Sequence, residues 1–135
     1  MHNMHYVPEL YDKKLLIITD IGSSNAVAES LSESGFIVMP AHCTQLIPKL
    51  FITNYPDLVL ISLAMPLLEY LSVCNVLRGY FRGPVLLLLE NPEDQIKLLG
   101  LEVGADEILV GPYTPFWLPA KIRAMLYREW KSRQV

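Results

Sequence analysis

The sequence predicts an α/β domain built on a doubly wound, parallel, five-stranded sheet, and three observations predict it. Five short, near-continuously apolar runs recur along the 135 residues: Lys14 to Thr19, Phe36 to Met39, Leu58 to Ile61, Val85 to Leu89 and Glu107 to Val110. Runs of this kind suit strands covered on both faces. Each is followed by a segment with helical spacing or a helix-capping signal, and strands alternating with helices give parallel sheets with right-handed crossovers and helices on both faces. The length, with 52% hydrophobic and 19% charged residues, fits one domain with a real core. We expect residues 1–12 to be a leader, 13–131 the domain, and 132–135 a tail or the start of a linker.

The elements follow in order. The first strand, KLLIIT, ends in Asp20. Ile21 to Ser24 turns the chain, and either serine can cap a helix from about Asn25 to Ser34 whose Val27 and Leu31 share a face. Gly35 stops it. A short second strand leads to a helix over about Thr44 to Asn54, with Leu46, Leu50 and Phe51 at helical spacing and Pro48 in its first turn, where a missing N–H is tolerated. The third strand lies in DLVLISLAMP, Asp57 to Pro66, and runs into Ser62. A helix then spans about Leu68 to Phe81, ended by the Gly79 to Pro84 region.

After the fourth strand, Asn91 caps a helix with Pro92 at its first position and Glu93 and Asp94 in its first turn. Gly104 stops it. Beyond the fifth strand and Gly111–Pro112, Thr114 and Pro115 open a last helix to about Lys131. Leu118, Ile122, Met125 and Leu126 form its apolar stripe, and Pro119 is expected to kink its first turns.

Charge and cysteine content exclude several classes. A net charge of −3 gives no whole-chain attraction to nucleic acid or anionic membrane. Lys121, Arg123, Arg128, Lys131 and Arg133 cluster near the end, which reads as a basic last helix complementing its own dipole. Cys43 and Cys74 lack metal-ligand spacing and disulfide density, so they read as reduced core thiols in a reducing compartment. The apolar runs fall far short of the roughly 18 residues of a membrane span. The start, MHNMHYVPELYD, has no signal-peptide pattern, so a cytoplasmic location is expected. His2 and His5 read as solvated rather than as ligands.

In open parallel sheets ligand chemistry collects at the carboxyl ends of the strands. Here those positions hold Thr19, Asp20, Ser62, Glu90 and Gly111. The turn of Gly22, Ser23 and Ser24 lacks the further glycines of a dinucleotide fingerprint and the lysine of a P-loop, so helix capping accounts for it. Glu90 reads as a solvated acid starting a loop.

Four blocks, KLLIITD, PDLVLISLAMP, GPVLLLLEN and GLEVGADEILVGPYTP, resemble the receiver domain of bacterial two-component response regulators, from about Lys13 to Arg128. The resemblance is closest to the winged-helix transcription-factor subclass. It implies a flavodoxin-like (βα)5 fold with strand order 2-1-3-4-5. It further implies phosphoryl transfer to an aspartate after the third strand, with Mg²⁺ on an acidic pair, a lysine after the fifth strand and a hydroxyl after the fourth. Each part has a reason: a carboxylate nucleophile, a cation to neutralise phosphoryl oxygens and a fixed ammonium clamp.

This chain departs from that set. The phosphoacceptor position is Ser62, the lysine position Gly111, the switch hydroxyl position Leu89 and the first acidic position Thr19, while the switch aromatic is Ile108. Only Asp20 survives, a weak metal candidate by itself. A serine without an adjacent base is a poor nucleophile, and one or two carboxylates make a weak Mg²⁺ site. We therefore expect no catalysis, no cofactor and no metal. The peptide matching Gly111–Pro112 is commonly cis in the family, and the sequence leaves the isomer open.

The resemblance retains a surface. In the winged-helix subclass the active form dimerises through the fourth helix, fifth strand and fifth helix, with acids on one side and bases on the other. The matching positions keep acids at Glu102, Asp106 and Glu107 and bases at Lys121, Arg123 and Arg128. Lys97 also matches a base, while its expected acidic partner falls at Trp117. Such exposed pairs set register and partner choice more than affinity. The sequence thus predicts a phosphorylation-independent receiver acting by protein contact, a homodimer through this face and the regulatory part of a transcription regulator that meets DNA only through a further domain. Two other readings are a stand-alone adaptor whose partner docks on the same face, and a small-ligand sensor using the vacated pocket. The sequence beyond Val135 in the gene would separate the first two.

Overall fold

In a computed structural model of the chain, residues 12–19, 26–42, 55–62, 67–89, 104–110 and 117–134 are described, with only the backbone of 67–71. Five strands, β1 (Lys14–Thr19), β2 (Ile37–His42), β3 (Leu58–Ser62), β4 (Val85–Leu89) and β5 (Glu107–Val110), form one sheet in the order β2-β1-β3-β4-β5. All four pairings are parallel. The described helices are α1 (Ala26–Glu33), α2 (Leu67–Arg78) and α3 (Trp117–Ser132). The helices expected at about 44–54 and from Asn91 to Gly104 lie outside the described residues, as do Cys43 and the Gly111–Pro112 peptide.

Alternation along each strand sorts the core into two layers. Leu16, Ile18, Val59, Ile61, Leu87 and Leu89 pack with Val73, Cys74 and Leu77 of α2. Leu15, Ile17, Leu58, Leu60, Leu86 and Leu88 pack on the opposite face with Leu31 of α1 and Leu118, Ile122, Met125 and Leu126 of α3. The expected apolar stripe of the last helix is therefore its buried face. Burial of this kind contributes about 1.5–3 kcal/mol per large aliphatic side chain. Cys74 is a free thiol in the first layer; burial raises its pKa to about 11, which keeps it protonated and inert.

Helix α1 ends in a Schellman motif. The Phe36 amide donates to the Leu31 carbonyl at 3.2 Å and the Gly35 amide to the Ser32 carbonyl at 3.1 Å, with Gly35 at φ 97°. Phe36 and Leu31 then meet in the same core layer.

Two boundaries and the effect of one proline differ from expectation. Strand β2 continues past Met39 to His42 and includes Pro40, because an edge strand tolerates a residue with no N–H to give. Helix α2 stops at Arg78, three residues before Phe81. Gly79 turns the chain there and lets the Phe81 ring, 0% exposed, reach the core beneath the helix. Pro119 is the third residue of α3. The first N–H groups of a helix have no intrahelical acceptor, so this proline removes no ladder hydrogen bond that would kink the helix.

Candidate functional site

The strand register sets out the carboxyl edge of the sheet. Thr19 stands beside His42 on one side and Ser62 on the other, Ser62 beside Leu88, and Leu89 beside Val110. By the alternation that groups Leu15, Ile17, Leu58 and Leu60, the side chains of His42, Thr19 and Ser62 share the face of α1 and α3. All three are half-buried. Leu89, Ile108 and Val110 belong to the α2 layer. The described part of this edge therefore offers two hydroxyls, an imidazole and alkyl groups. Asp20, Glu90 and Gly111 lie outside the described residues.

Chemically this is a weak arrangement. Among the described residues no three His, Cys, Asp or Glu side chains gather as a metal would require. His42 is the titratable group of the row, but it lies on edge strand β2, two strands from Ser62 and at the opposite edge from β5. Two strand spacings are roughly 9–10 Å, far beyond the contact a general base needs with its nucleophile.

The charged groups gather on the other side of the molecule. Glu107 opens β5 and takes two partners from α3, Lys121 and Arg128, the latter at 2.8 Å. Lys121 and Arg128 are seven residues apart, so two helical turns bring both to one strand end. Burial pushes the Glu107 carboxyl up, but hydrogen bonds and charge from Lys121 and Arg128 more than offset it and hold it below its ordinary value. Beside it, Asp106 pairs with Arg78 at 2.9 Å and accepts the Val85 amide at 2.8 Å. Pro84, Asp106, Met125, Arg128 and Glu129 rim an open hollow of about 260 Å³. That is below the usual size of a ligand pocket, and it is open to solvent.

Of the residues expected at an interface, Asp106, Glu107, Lys121 and Arg128 are thus brought together, and each is engaged within its own chain. Arg123 does not join them. Its guanidinium donates to the Ser34 carbonyl and lies 4.8 Å from the centre of the Phe36 ring, tying α3 to the end of α1. Lys97 and Glu102 lie outside the described residues.

Arg78 was missed by sequence reasoning. It donates to the carbonyls of Gly104 at 2.8 Å, Gly83 at 2.7 Å and Phe81 at 3.3 Å as well as to Asp106. Gly104, at φ 74°, turns its carbonyl toward this clamp. The available signal was a lone base in the last turn of a helix, which ordinarily means no more than dipole complementarity. Gly83 has a sharper reason: a Cβ there would collide with the Phe81 ring.

A scan against protein-family models finds no match. The chain is 34% identical over 121 residues to the "Probable transcriptional regulator ycf27" of Guillardia theta, covering 89% of this chain and 48% of that protein. It is 33% identical over 119 residues to the alkaline phosphatase synthesis transcriptional regulatory protein PhoP of Bacillus subtilis, covering 87% of this chain and 50% of that one. The chain therefore spans about half the length of the curated relatives it matches. Among solved structures it superimposes on a two-component response regulator from Clostridium difficile with a TM-score of 0.70 and 29% identity, covering 87% of this chain and 98% of the other. With the five parallel strands in the order β2-β1-β3-β4-β5, these similarities place the chain in the response-regulator family, as a receiver domain.

Proposed function

We propose that this receiver domain signals without phosphorylation, by protein contact, as the regulatory and dimerising part of a cytoplasmic transcription regulator. The observation that carries this reading is the end of β3. The residue there is Ser62, flanked in register by Thr19 and Leu88. Among the described residues the imidazole of its row, His42, lies two strands away on β2, and no three His, Cys, Asp or Glu side chains gather as a metal would require. The relatives named as transcriptional regulators support the regulatory role, with DNA contacted through a domain beyond this chain. The contact surface is the face of β5 and α3, extended by Lys97 and Glu102, and its partner is a second copy of the chain. The domain carries no catalytic activity, cofactor or metal in this reading.

The test is incubation with radiolabelled acetyl phosphate and Mg²⁺ beside an ordinary receiver as control. The control is expected to label and this chain to remain unlabelled. Stoichiometric labelling of the chain, at Ser62 or elsewhere, would overturn the reading.

A further inference from the structure

Strand β2 stands at one edge of the sheet and pairs with β1 alone. The Ile37 amide donates to the Lys13 carbonyl at 2.8 Å, and in a parallel pair alternate residues turn both backbone groups to the same side. Ile37, Met39 and Ala41 therefore face β1, while Val38, Pro40 and His42 turn their backbone groups away from the sheet. The phase agrees on β1, where the Lys14 carbonyl accepts the Asp57 amide at 2.8 Å and so faces β3.

An edge of this kind invites a further strand. Phe36 to His42 reads FIVMPAH, rich in strand-forming side chains and free of Asp, Glu, Lys, Arg and glycine, and Ile37 is 46% exposed. Apart from its proline, this is the composition of segments that pair with their own kind. The opposite edge strand differs, because β5 is four residues long and opens on Glu107, with Lys121 and Arg128 beside it. Shortness and charge are two ways of blunting an edge, and β2, six residues long, has neither.

Proline is a third way, and here its phase matters. At position 39 or 41 the ring would remove a ladder bond to β1; at 40 it removes only an outward donor. Pro40 also stands between Val38 and His42, so any register that uses two neighbouring outward residues of β2 must include it. A second copy laid antiparallel and centred there would set Pro40 against Pro40, and both hydrogen bonds of that central pair would lack a donor. We propose that Pro40 closes the β2 edge to strand addition and so keeps copies of this chain from joining edge to edge. The dimerising face proposed above lies with β5 at the far edge of the sheet, so the two contacts can be tested separately.

Pro40→Val restores the missing donor at an exposed position, and Pro40→Ala does so with a smaller side chain. The natural and variant chains are compared by sedimentation from about 10 μM to about 1 mM, the weak end of the affinity scale, by circular dichroism to verify folding, and by amide hydrogen exchange. Pro40→Val is expected to assemble at a concentration at least about tenfold lower than the natural chain. In that assembly, exchange should slow at Val38 and at the new amide of position 40. A folded Pro40→Val chain that sediments as the natural chain does throughout the range overturns the inference. So does an assembly in which those two amides exchange as freely as in the monomer, because the contact then lies elsewhere. If Pro40→Val does not fold, the same outcomes are read from Pro40→Ala.

Discussion

The two ends of the sheet differ in what their polar groups do. At the amino edge, carboxylates fasten strands. Asp57 accepts the Lys14 amide on its side chain at 2.8 Å while its own amide donates to the Lys14 carbonyl at 2.8 Å, joining β1 to the start of β3. Asp106 accepts the Val85 amide and the Arg78 guanidinium, joining β4, β5 and the end of α2. At the carboxyl edge the described polar side chains are His42, Thr19 and Ser62, neighbours by register and half-buried. The contrast separates two uses of charge on one scaffold. Acids that hold backbone amides stand where folding needs them, whereas the described part of the carboxyl edge presents hydroxyl, imidazole and alkyl groups.

Four substitutions can break or sharpen that contrast. The largest effect is expected from Arg78→Ala, which strips one carboxylate and three carbonyls of a shared donor. Urea unfolding should register a loss of about 2–3 kcal/mol, since the freed groups can only partly rehydrate. A loss below about 0.5 kcal/mol would mean that the amino edge is not held by its charges.

Glu107→Gln should cost less, about 0.5–1 kcal/mol at neutral pH, because Arg128 is 64% exposed and its pair with Glu107 is screened. The sign with pH follows from a folded carboxyl held below its ordinary value of 4.5. Its stabilisation is fully present above 4.5 and is lost as pH falls through the lower, folded value. The stability gap between the natural chain and Glu107→Gln should therefore narrow on acidification, and a gap that stays constant into the acid range would place its source elsewhere.

The smallest effects belong to the carboxyl edge. Ser62→Ala and Thr19→Val should each change stability by no more than about 0.5 kcal/mol. A cost of about 2 kcal/mol or more in either would reveal a hydroxyl network as firmly built as the amino edge.

Much of the fold was legible because its signals are local. Apolar runs of four to six residues marked all five strands, with three of them, Lys14–Thr19, Val85–Leu89 and Glu107–Val110, matching to the residue. Gly35 and Gly104 announced left-handed turns that both adopt. The end of α2 was less legible because Phe81 continues the helical pattern, and only the space beneath the helix shows that its ring belongs to the core. Pro40 hid the second half of β2, since a proline argues against a strand unless the strand is known to lie at an edge.

By itself, the sequence determined the alternation of strands and helices, the faces they bury and the residue types that end each strand. Those follow from periodicity and capping, which act within a few residues of chain. Tertiary structure decided how the charges are used. Glu107 meets Arg128 across 21 positions, Arg78 meets Asp106 across 28, and Arg123 reaches the Ser34 carbonyl across 89. Several bases on α3 were equally compatible with Glu107 in sequence, and only strand order, helix rotation and side-chain reach select among them. The contacts of α3 within the chain are decided the same way: Lys121 and Arg128 meet Glu107, and Arg123 meets the Ser34 carbonyl.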